Sequence, residues 1–293
     1  MDTGLGEVLQ AHQSFRFKLK PFLNKYFVRR SVLSLNMTVL LGKALFRASG
    51  FFLKKLGFVL SLSNLAQNNF PELTKKELTF INKVFSARVT MVSFESLATL
   101  AIVCKYIQEN GIRGDFVEAG VWRGGASIIA KKFLGVTRSY YLYDTYAGMT
   151  RPTVYDYRTN DKDNSSTAEK WNKLDRGSAN GWVNASLGEV KSNFKKFDLL
   201  DKTINFIVGD VTRTLVDGIK PREISILRLD TDFYDSTLIE LQVLYPLLVK
   251  GGVLILDDYG HWNGARRAVD EYFGDHLKHL KIPIGNGGRI LVK

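Results

Sequence analysis

The hydrophobic positions of the chain change their spacing in a regular way after Ser93. Five short apolar runs have the length and the β-branched and aromatic content of buried strands. They lie at residues 115–120, 139–144, 203–210, 224–230 and 251–258. Intervening segments such as 126–135 and 264–273 have helical spacing, and residues 279–293 hold two β-runs around a glycine-rich turn, typical of an antiparallel hairpin. This alternation predicts an α/β fold with a mostly parallel sheet covered on both faces.

A helix is predicted ahead of the first strand. In the segment FESLATLAIVCKYIQENG the apolar residues recur at helical spacing, and Gly111 is the expected stop. The segment contains Cys104, the only cysteine of the 293-residue chain. An intramolecular disulfide is therefore excluded, and a buried thiol in a reducing compartment is expected.

Residues 1–85 differ from the rest, and we predict a basic amphipathic helical extension joined to a domain at 86–293. The formal net charge is +12, and residues 1–60 contribute ten basic against two acidic side chains. Two interpretations stay open. The extension is either a helical cap or dimer interface on the domain, or a surface at residues 15–60 that contacts an anionic membrane.

The amino-terminal region does not have the pattern of a membrane-spanning segment. Its longest uncharged run, between Arg30 and Lys43, has 12 residues, whereas a span needs about 20. The polar stretch Met1–Gln13 does not resemble the start of a secretory signal. We therefore expect a cytoplasmic protein, peripheral on the inner membrane surface if the extension binds lipid.

A long polar segment at residues 146–189 interrupts the alternation of strands and helices. Connections of this length inside a compact domain are usually functional or disordered. We interpret the segment as a lid over an active site, and a loose surface insertion is the alternative.

Acidic residues stand at or near the end of each predicted parallel strand, where ligands bind in such sheets. The first, Glu118, precedes a turn with Gly120 and Gly124 that opens a helix. A carboxylate there repels a pyrophosphate but suits a cationic amino group, such as that of S-adenosylmethionine (SAM). The glycine spacing also differs from the dinucleotide fingerprint, which disfavours an NAD-dependent oxidoreductase. An ordinary strand-to-helix turn is the alternative.

Asp144 and Asp210 end the second and third predicted strands. An acid at the first of these positions typically accepts hydrogen bonds from ribose hydroxyls, and Asp210 is expected to face an adenine. Each alone also fits an ordinary helix cap. Taken in order along the sheet, the two outline a nucleoside site.

Four aspartates follow the next two strands. Asp230 and Asp232 leave one strand end at i, i+2 spacing, and Asp257 and Asp258 leave the next. If these strands are neighbours, the carboxylates converge. A hard divalent cation such as Mg²⁺ would then relieve their mutual repulsion.

Basic residues offer a structural alternative for these aspartates. The acids could instead form ion pairs with Arg228, Arg266 or Arg267. His261, which follows the second acid pair, fits three roles equally: a metal ligand, a second base or a loop residue.

Five motifs together carry a family resemblance: EAGVWRGGAS, YLYDTYAGM, LRLDTDFYDST, VLILDDYGHWNGARRAVDEYF and ARVTMVSFESLATL. Over roughly residues 86–293 they resemble the macrocin O-methyltransferase family, the metal-dependent sugar methyltransferases of antibiotic biosynthesis. The resemblance implies a Rossmann-like class I methyltransferase fold, with a seven-stranded, mostly parallel sheet and an antiparallel last strand. It also implies that Asp232 is the general base and that Mg²⁺, or another hard divalent cation, is held by Asp230, Asp257 and Asp258. The residues that it places around SAM are Met91, Glu118, Gly120, Arg123, Ser127 and Asp144.

The leading hypothesis is therefore SAM- and Mg²⁺-dependent O-methylation of a hydroxyl on a sugar or on a glycosylated or lipid-linked small molecule. A catechol-type O-methyltransferase would use the same chemistry and stays open. No nucleic-acid partner is expected, because acid-rich strand ends repel a phosphate backbone. The alternative from another class is a non-catalytic methyltransferase-fold protein that serves as a membrane or partner-binding module. The oligomeric state stays open, a homo-oligomer included.

Overall fold

The computed structural model describes residues 69–177, 179–274, 281–285 and 287–293. The membrane-contacting surface predicted at residues 15–60 lies outside them. Within the described residues, no helix is both long and apolar enough to cross a bilayer.

Seven strands of the described chain form one sheet. They are β1 (Asp115–Ala119), β2 (Tyr140–Asp144), β3 (Ile204–Val208), β4 (Ile224–Leu229), β5 (Leu248–Leu256), β6 (Ile282–Ile284) and β7 (Gly288–Val292). Their order across the sheet is β3-β2-β1-β4-β5-β7-β6. Strands β1 to β5 pair in parallel, whereas β7 runs antiparallel to both β5 and β6. The predicted sheet, with its reversed last strand and terminal hairpin, is confirmed.

Helices cover both faces of this sheet. They are α1 (Lys75–Ser86), α2 (Phe94–Glu109), α3 (Gly125–Leu134), α4 (Ser165–Leu174), α5 (Leu187–Lys196), α6 (Val211–Asp217), α7 (Tyr234–Leu244) and α8 (Asn263–Phe273). Helix α2 begins after Ser93, whose hydroxyl accepts a hydrogen bond from the Ser96 amide. It ends just before Gly111, which has φ of +61° as the predicted stop requires.

Side chains that alternate along the central strands divide the core into two layers. Phe116 and Ile226 point into one layer, which also receives Cys104 as a buried thiol. Val117 and Leu227 point into the other layer. All six residues of β4 are buried, as expected for a central strand covered on both faces.

Helix α1 packs into the first of these layers. Its buried residues Leu78, Ile81 and Val84 belong to the same hydrophobic cluster as Phe116. A capping box formed by Thr74 and Glu77 fixes where the helix begins. The helix thus contributes to the core of the sheet, although it precedes the domain boundary predicted between residues 85 and 86.

Gly120 allows the ends of β1 and β4 to approach each other closely. It has φ of +85°, and a Cβ atom there would lie 1.9 Å from the backbone oxygen of Asp230. The amide of Asp230 in turn donates to the Ala119 carbonyl at 2.9 Å. A side chain at residue 120 would therefore push apart the two strand ends that carry Glu118 and Asp230.

We predict that Gly120→Ala destabilises the protein more than Gly135→Ala does. Gly135 also has positive φ, +76°, but no atom lies within 4 Å of its hypothetical Cβ. Gly135 combines this φ with a ψ of −152°, a conformation nearly restricted to glycine, so its variant should lose about 1–3 kcal/mol, whereas the Gly120 variant adds a backbone clash. Urea denaturation measures both free energies of unfolding, and equal losses would contradict the close-approach argument.

Candidate active site

A cavity of about 270 Å³ opens at the carboxyl ends of the parallel strands. The residues singled out from the sequence that line it are Met91, Glu118, Gly120, Asp144, Asp230, Asp232, Asp257, Asp258 and His261. The fold therefore brings expected cofactor and metal residues into one cavity, because parallel strands end at the same edge of a sheet.

Arg228 is buried at the centre of this edge and binds three carboxylates. Its Nη1 lies 2.6 Å from Glu118 Oε1 and 2.7 Å from Asp230 Oδ2, and its Nη2 lies 2.8 Å from Asp257 Oδ1. The structural alternative, that arginine pairs with these acids, is thus realised for Asp230 and Asp257. Each of the two aspartates keeps a second oxygen without an arginine contact.

Glu118 is almost fully buried, with 1% of its surface exposed. Burial raises the pKa of its carboxyl, which the Arg228 guanidinium and the Ser127 hydroxyl oppose. Ser127 donates its hydroxyl to Glu118 and does not itself line the cavity. The predicted contact between Ser127 and SAM stays a prediction, and the structure shows Ser127 as a support for Glu118.

Asp230, Asp257 and Asp258 each offer a carboxylate oxygen within 4.8 Å of the other two. Oxygen ligands of an octahedral Mg²⁺ lie at most about 4.2 Å apart, so small side-chain rotations would close the site. An oxygen-only donor set is the set that Mg²⁺ prefers. Burial and neighbouring carboxylates raise the pKa of Asp230 and of Asp258. A hard divalent cation fits these residues.

Asp232 stands beside this trio in a strained backbone conformation. Its φ is +65°, which is unusual for a residue with a side chain, and its amide donates to Asp258 Oδ2 at 3.2 Å. Burial raises the pKa of its carboxyl to about 7. Asp232 is therefore held next to the acid cluster with a basicity well above that of an ordinary aspartate.

Asp144 ties two loops of the cavity together. Its Oδ2 accepts from the amides of Val121 and Trp122 at 2.8 and 2.9 Å, and its Oδ1 accepts from the Tyr146 amide at 2.7 Å. Trp122 and Tyr146 both have positive φ, so the carboxylate stabilises strained turns after β1 and β2. The expected ribose contact stays a prediction.

Two other predicted cofactor residues point elsewhere. Asp210 caps α6, since its Oδ1 accepts from the Thr212 amide at 2.9 Å, which is the helix-cap role that the sequence left open. Arg123 pairs with Glu189, with 2.8 Å between Nε and Oε1. Neither lines the cavity, and direct contact of either with SAM stays a prediction.

Asp156 was not singled out from the sequence, yet it connects the 146–189 segment to the acid cluster. It is fully buried, and its Oδ1 accepts from the amide of Tyr234 at 2.7 Å, at the first residue of α7. Asp156 therefore caps a helix that begins two residues after Asp232. Gly264 leaves room for this carboxylate, because a Cβ there would lie 1.9 Å from Asp156 Oδ1.

The same segment also contributes an aromatic wall. Trp182 packs against Phe233 and Trp262, with ring centres 6.2 and 5.9 Å apart. Phe233 directly follows Asp232, so the segment contacts the turn that carries the predicted base. No periodic pattern marks these residues in the sequence, because their contacts are between distant parts of the chain.

Comparison with known proteins identifies the family of this chain. A sequence profile described as macrocin O-methyltransferase (TylF) matches residues 65–286. The chain belongs to the macrocin O-methyltransferase family. This methyltransferase is 32% identical over 189 residues to the 8-demethyl-8-(2,3-dimethoxy-alpha-L-rhamnosyl)-tetracenomycin-C 4'-O-methyltransferase of Streptomyces olivaceus, over 63% of the chain and 67% of that relative.

Two further comparisons agree. The methyltransferase is 32% identical to the mycinamicin III 3''-O-methyltransferase of Micromonospora griseorubida, over 64% of the chain and 71% of that relative. It is similar in structure to the O-methyltransferase NovP, with a TM-score of 0.59 and 29% identity over 70% of the chain and 81% of NovP. The predicted class I fold and O-methyltransferase activity are confirmed, and SAM is implied as the methyl donor. The non-catalytic alternative finds no support.

We predict that Arg228→Gln destabilises this methyltransferase by about 3–5 kcal/mol, because it leaves buried carboxylates without their counter-charge. The matched control is Arg222→Gln, at an exposed position where surface substitutions usually change stability by less than about 0.5 kcal/mol. Urea denaturation at pH 7 in EDTA compares the two. Similar losses would show that Arg228 does not balance the acids.

Glu240 is a second buried residue that the sequence did not reveal. It is fully buried in α7; its Oε2 accepts from Thr231 Oγ1 at 3.2 Å, and its Oε1 has no hydrogen-bond partner within the described chain. Burial raises the pKa of this carboxyl well above its usual value. Folding therefore favours the protonated form, and stability is lost as pH rises above about 4.3, the pKa of an unfolded glutamate.

We predict that Glu240→Gln becomes increasingly stabilising, relative to wild type, as pH rises from 5 to 8. Glutamine has a similar shape but no charge, so the variant avoids a loss of up to about 1.4 kcal/mol per pH unit. Denaturation across this pH range measures the difference, with exposed Glu109→Gln as the control. A difference independent of pH would contradict the buried-acid argument.

Proposed function

We propose that this methyltransferase transfers the methyl group of SAM to a sugar hydroxyl, with a divalent cation at Asp230, Asp257 and Asp258 and with Asp232 as general base. The observation that carries the proposal is the convergence of these residues with Glu118 in one cavity. Three aspartate oxygens lie within 4.8 Å of one another there, beside a carboxyl whose pKa is raised to about 7.

Glu118 supplies negative charge for the donor. SAM carries a cationic amino group and a sulfonium, and a buried carboxylate at the end of β1 would attract both. Ser127 and Arg228 hold this carboxylate in one orientation. The donor is thereby fixed relative to the acid cluster before the acceptor arrives.

Asp232 would accept the proton of the acceptor hydroxyl while the oxygen attacks the methyl carbon of SAM. The methyl–sulfur bond breaks, the sulfur keeps the electron pair, and the products are the methyl ether and S-adenosylhomocysteine. A carboxylate placed beside the acceptor oxygen is a common acceptor for such a proton. When bound, Mg²⁺ would supply positive charge that stabilises the developing oxyanion.

The sugar in this proposal is supported by the relatives. The names of two of them, at 32% identity, describe methylation of a rhamnosyl-tetracenomycin and of mycinamicin III. In this chain Trp262, Val183 and Met149 add apolar surface to a cavity that is also lined by carboxylates. A molecule with a hydrophobic face and ring hydroxyls fits such a cavity. A catechol-type acceptor is the second candidate, which a panel of acceptors separates.

We predict that Asp232→Asn retains S-adenosylhomocysteine binding in calorimetric titration but loses about 10²–10⁴-fold in methyl transfer, the usual contribution of a general base. Asp235→Asn, at an exposed position three residues along, is the control and should keep full activity. EDTA should abolish transfer in the wild type, and Mg²⁺ should restore it. Full activity of the Asp232 variant, or in EDTA, would overturn the corresponding part of the proposal.

A further inference from the structure

Two basic side chains of the 146–189 segment, the cavity-lining Arg158 and the exposed Lys170, have no acidic partner within the described chain. Arg158 lines the cavity, and its guanidinium carbon lies 5.1 Å from the ring centre of Trp262. The ammonium of Lys170 lies 3.9 Å from the ring centre of Trp182. Within the described chain, neither charged group forms an ion pair or a hydrogen bond.

Arg158 and Lys170 both stack on rings of the aromatic wall. Trp182 and Trp262 pack with their ring centres 5.9 Å apart, and Phe233 contacts both of them. Stacking over a ring positions a cation without neutralising its charge. The two positive charges therefore remain available to an anion on a platform that adjoins Asp232.

The charges of this region affect one another. Partial burial lowers the pKa of Lys170; the charge of Arg158 lowers it further, whereas Asp232 raises it. Arg158 correspondingly opposes the rise in the pKa of Asp232. The two cations therefore repel each other, and each interacts with the charge of Asp232. An oxyanion between them would remove that repulsion.

We infer that Arg158 and Lys170 form a subsite for an anionic group, a phosphate or a carboxylate, on the acceptor sugar. A guanidinium provides a fork of donors for such an oxyanion, and an ammonium adds a point charge. The inference rests on the proposed function, since it concerns the acceptor of that reaction. It implies that the anionic group lies near the methylated hydroxyl, because the subsite adjoins Asp232.

The acid cluster explains why such a subsite would be needed. Asp230, Asp232, Asp257 and Asp258 line the same cavity and would repel an anionic acceptor. A neutral sugar needs no counter-charge there. Arg158 in the cavity lining and Lys170 on the adjoining aromatic wall, each held over an aromatic ring, offset this repulsion for an anionic sugar.

The test is calorimetric titration of three sugars into the full-length protein with S-adenosylhomocysteine and Mg²⁺ present. The probes are glucose 1-phosphate, glucuronate and neutral methyl glucoside. We expect one or both anionic sugars to bind more tightly than the neutral one, and their ranking tells phosphate from carboxylate. Arg158→Gln and Lys170→Gln should each weaken anionic binding about tenfold or more, the usual effect of a charged hydrogen bond.

Controls on the same segment separate local from general charge effects. Lys173→Gln and Arg176→Gln remove exposed cations that, unlike Arg158 and Lys170, do not stack on the aromatic wall in the described chain, and they should leave anionic binding unchanged. Equal losses in the controls, or equal affinity of the wild type for all three sugars, would overturn the inference. A third result would also overturn the inference: anionic binding that is lost in EDTA but is kept by both the Arg158→Gln and the Lys170→Gln variants. The anion would then bind only through Mg²⁺.

The same titrations distinguish failure of the subsite from failure of the proposed function. Binding of S-adenosylhomocysteine without any preference for anionic sugars would overturn the subsite alone. No binding of S-adenosylhomocysteine to folded protein would overturn the proposed function. Loss of anionic binding in the Arg158 and Lys170 variants would still support the subsite in that case.

Discussion

The ion-pair network around Arg228 is the constraint on which the rest of the site depends. In the sheet, Glu118 on β1 pairs in register with Arg228 on β4, and Arg228 pairs with Ile255 on β5. Asp257 lies two residues after Ile255, so its side chain emerges on the same face as that of Arg228. The guanidinium of Arg228 on β4 thus contacts a carboxylate at the end of each neighbouring strand, Glu118 on β1 and Asp257 after β5. Arg228 supplies one positive charge to the three carboxylates of Glu118, Asp230 and Asp257, and its removal would leave these acids without that counter-charge at a large cost in stability.

Close backbone contacts also stabilise the edge of the sheet at which the cavity opens. Gly120 lets β1 and β4 approach, and Asp144 holds the turns that contain Trp122 and Tyr146 through three amide hydrogen bonds. Asp232 adds a further residue with positive φ. Strained turns persist only where surrounding contacts over-determine them. Here those contacts come from side chains of the site itself, so the turns around the cavity and its acidic residues stabilise one another.

The sequence predicted the sheet and the convergence of the aspartates for a simple physical reason. Apolar strands that alternate with helices must be parallel and must end at one edge, so acids at strand ends meet there. It could not distinguish a cofactor contact from a helix cap at Asp210, because both roles need an acid in the same place. Arg228 was named only as an alternative partner, since register between strands is not visible in one sequence. Asp156 and Glu240 were missed because nothing in the local pattern tells a buried carboxylate from an exposed one.

The 146–189 segment shows how the chemistry and the choice of acceptor are coupled. Asp156 caps α7, and Trp182 packs on Phe233, so this segment holds the two residues that directly follow Asp232. The segment also supplies Arg158, which lines the cavity, and Lys170, which stacks on Trp182 of the aromatic wall. A change in the segment would therefore alter both the position of the proposed base and the charge of the proposed anion subsite. In the proposed reaction, activity and specificity are thus coupled through this segment, whereas Glu118 and Arg228 lie on the paired strands β1 and β4.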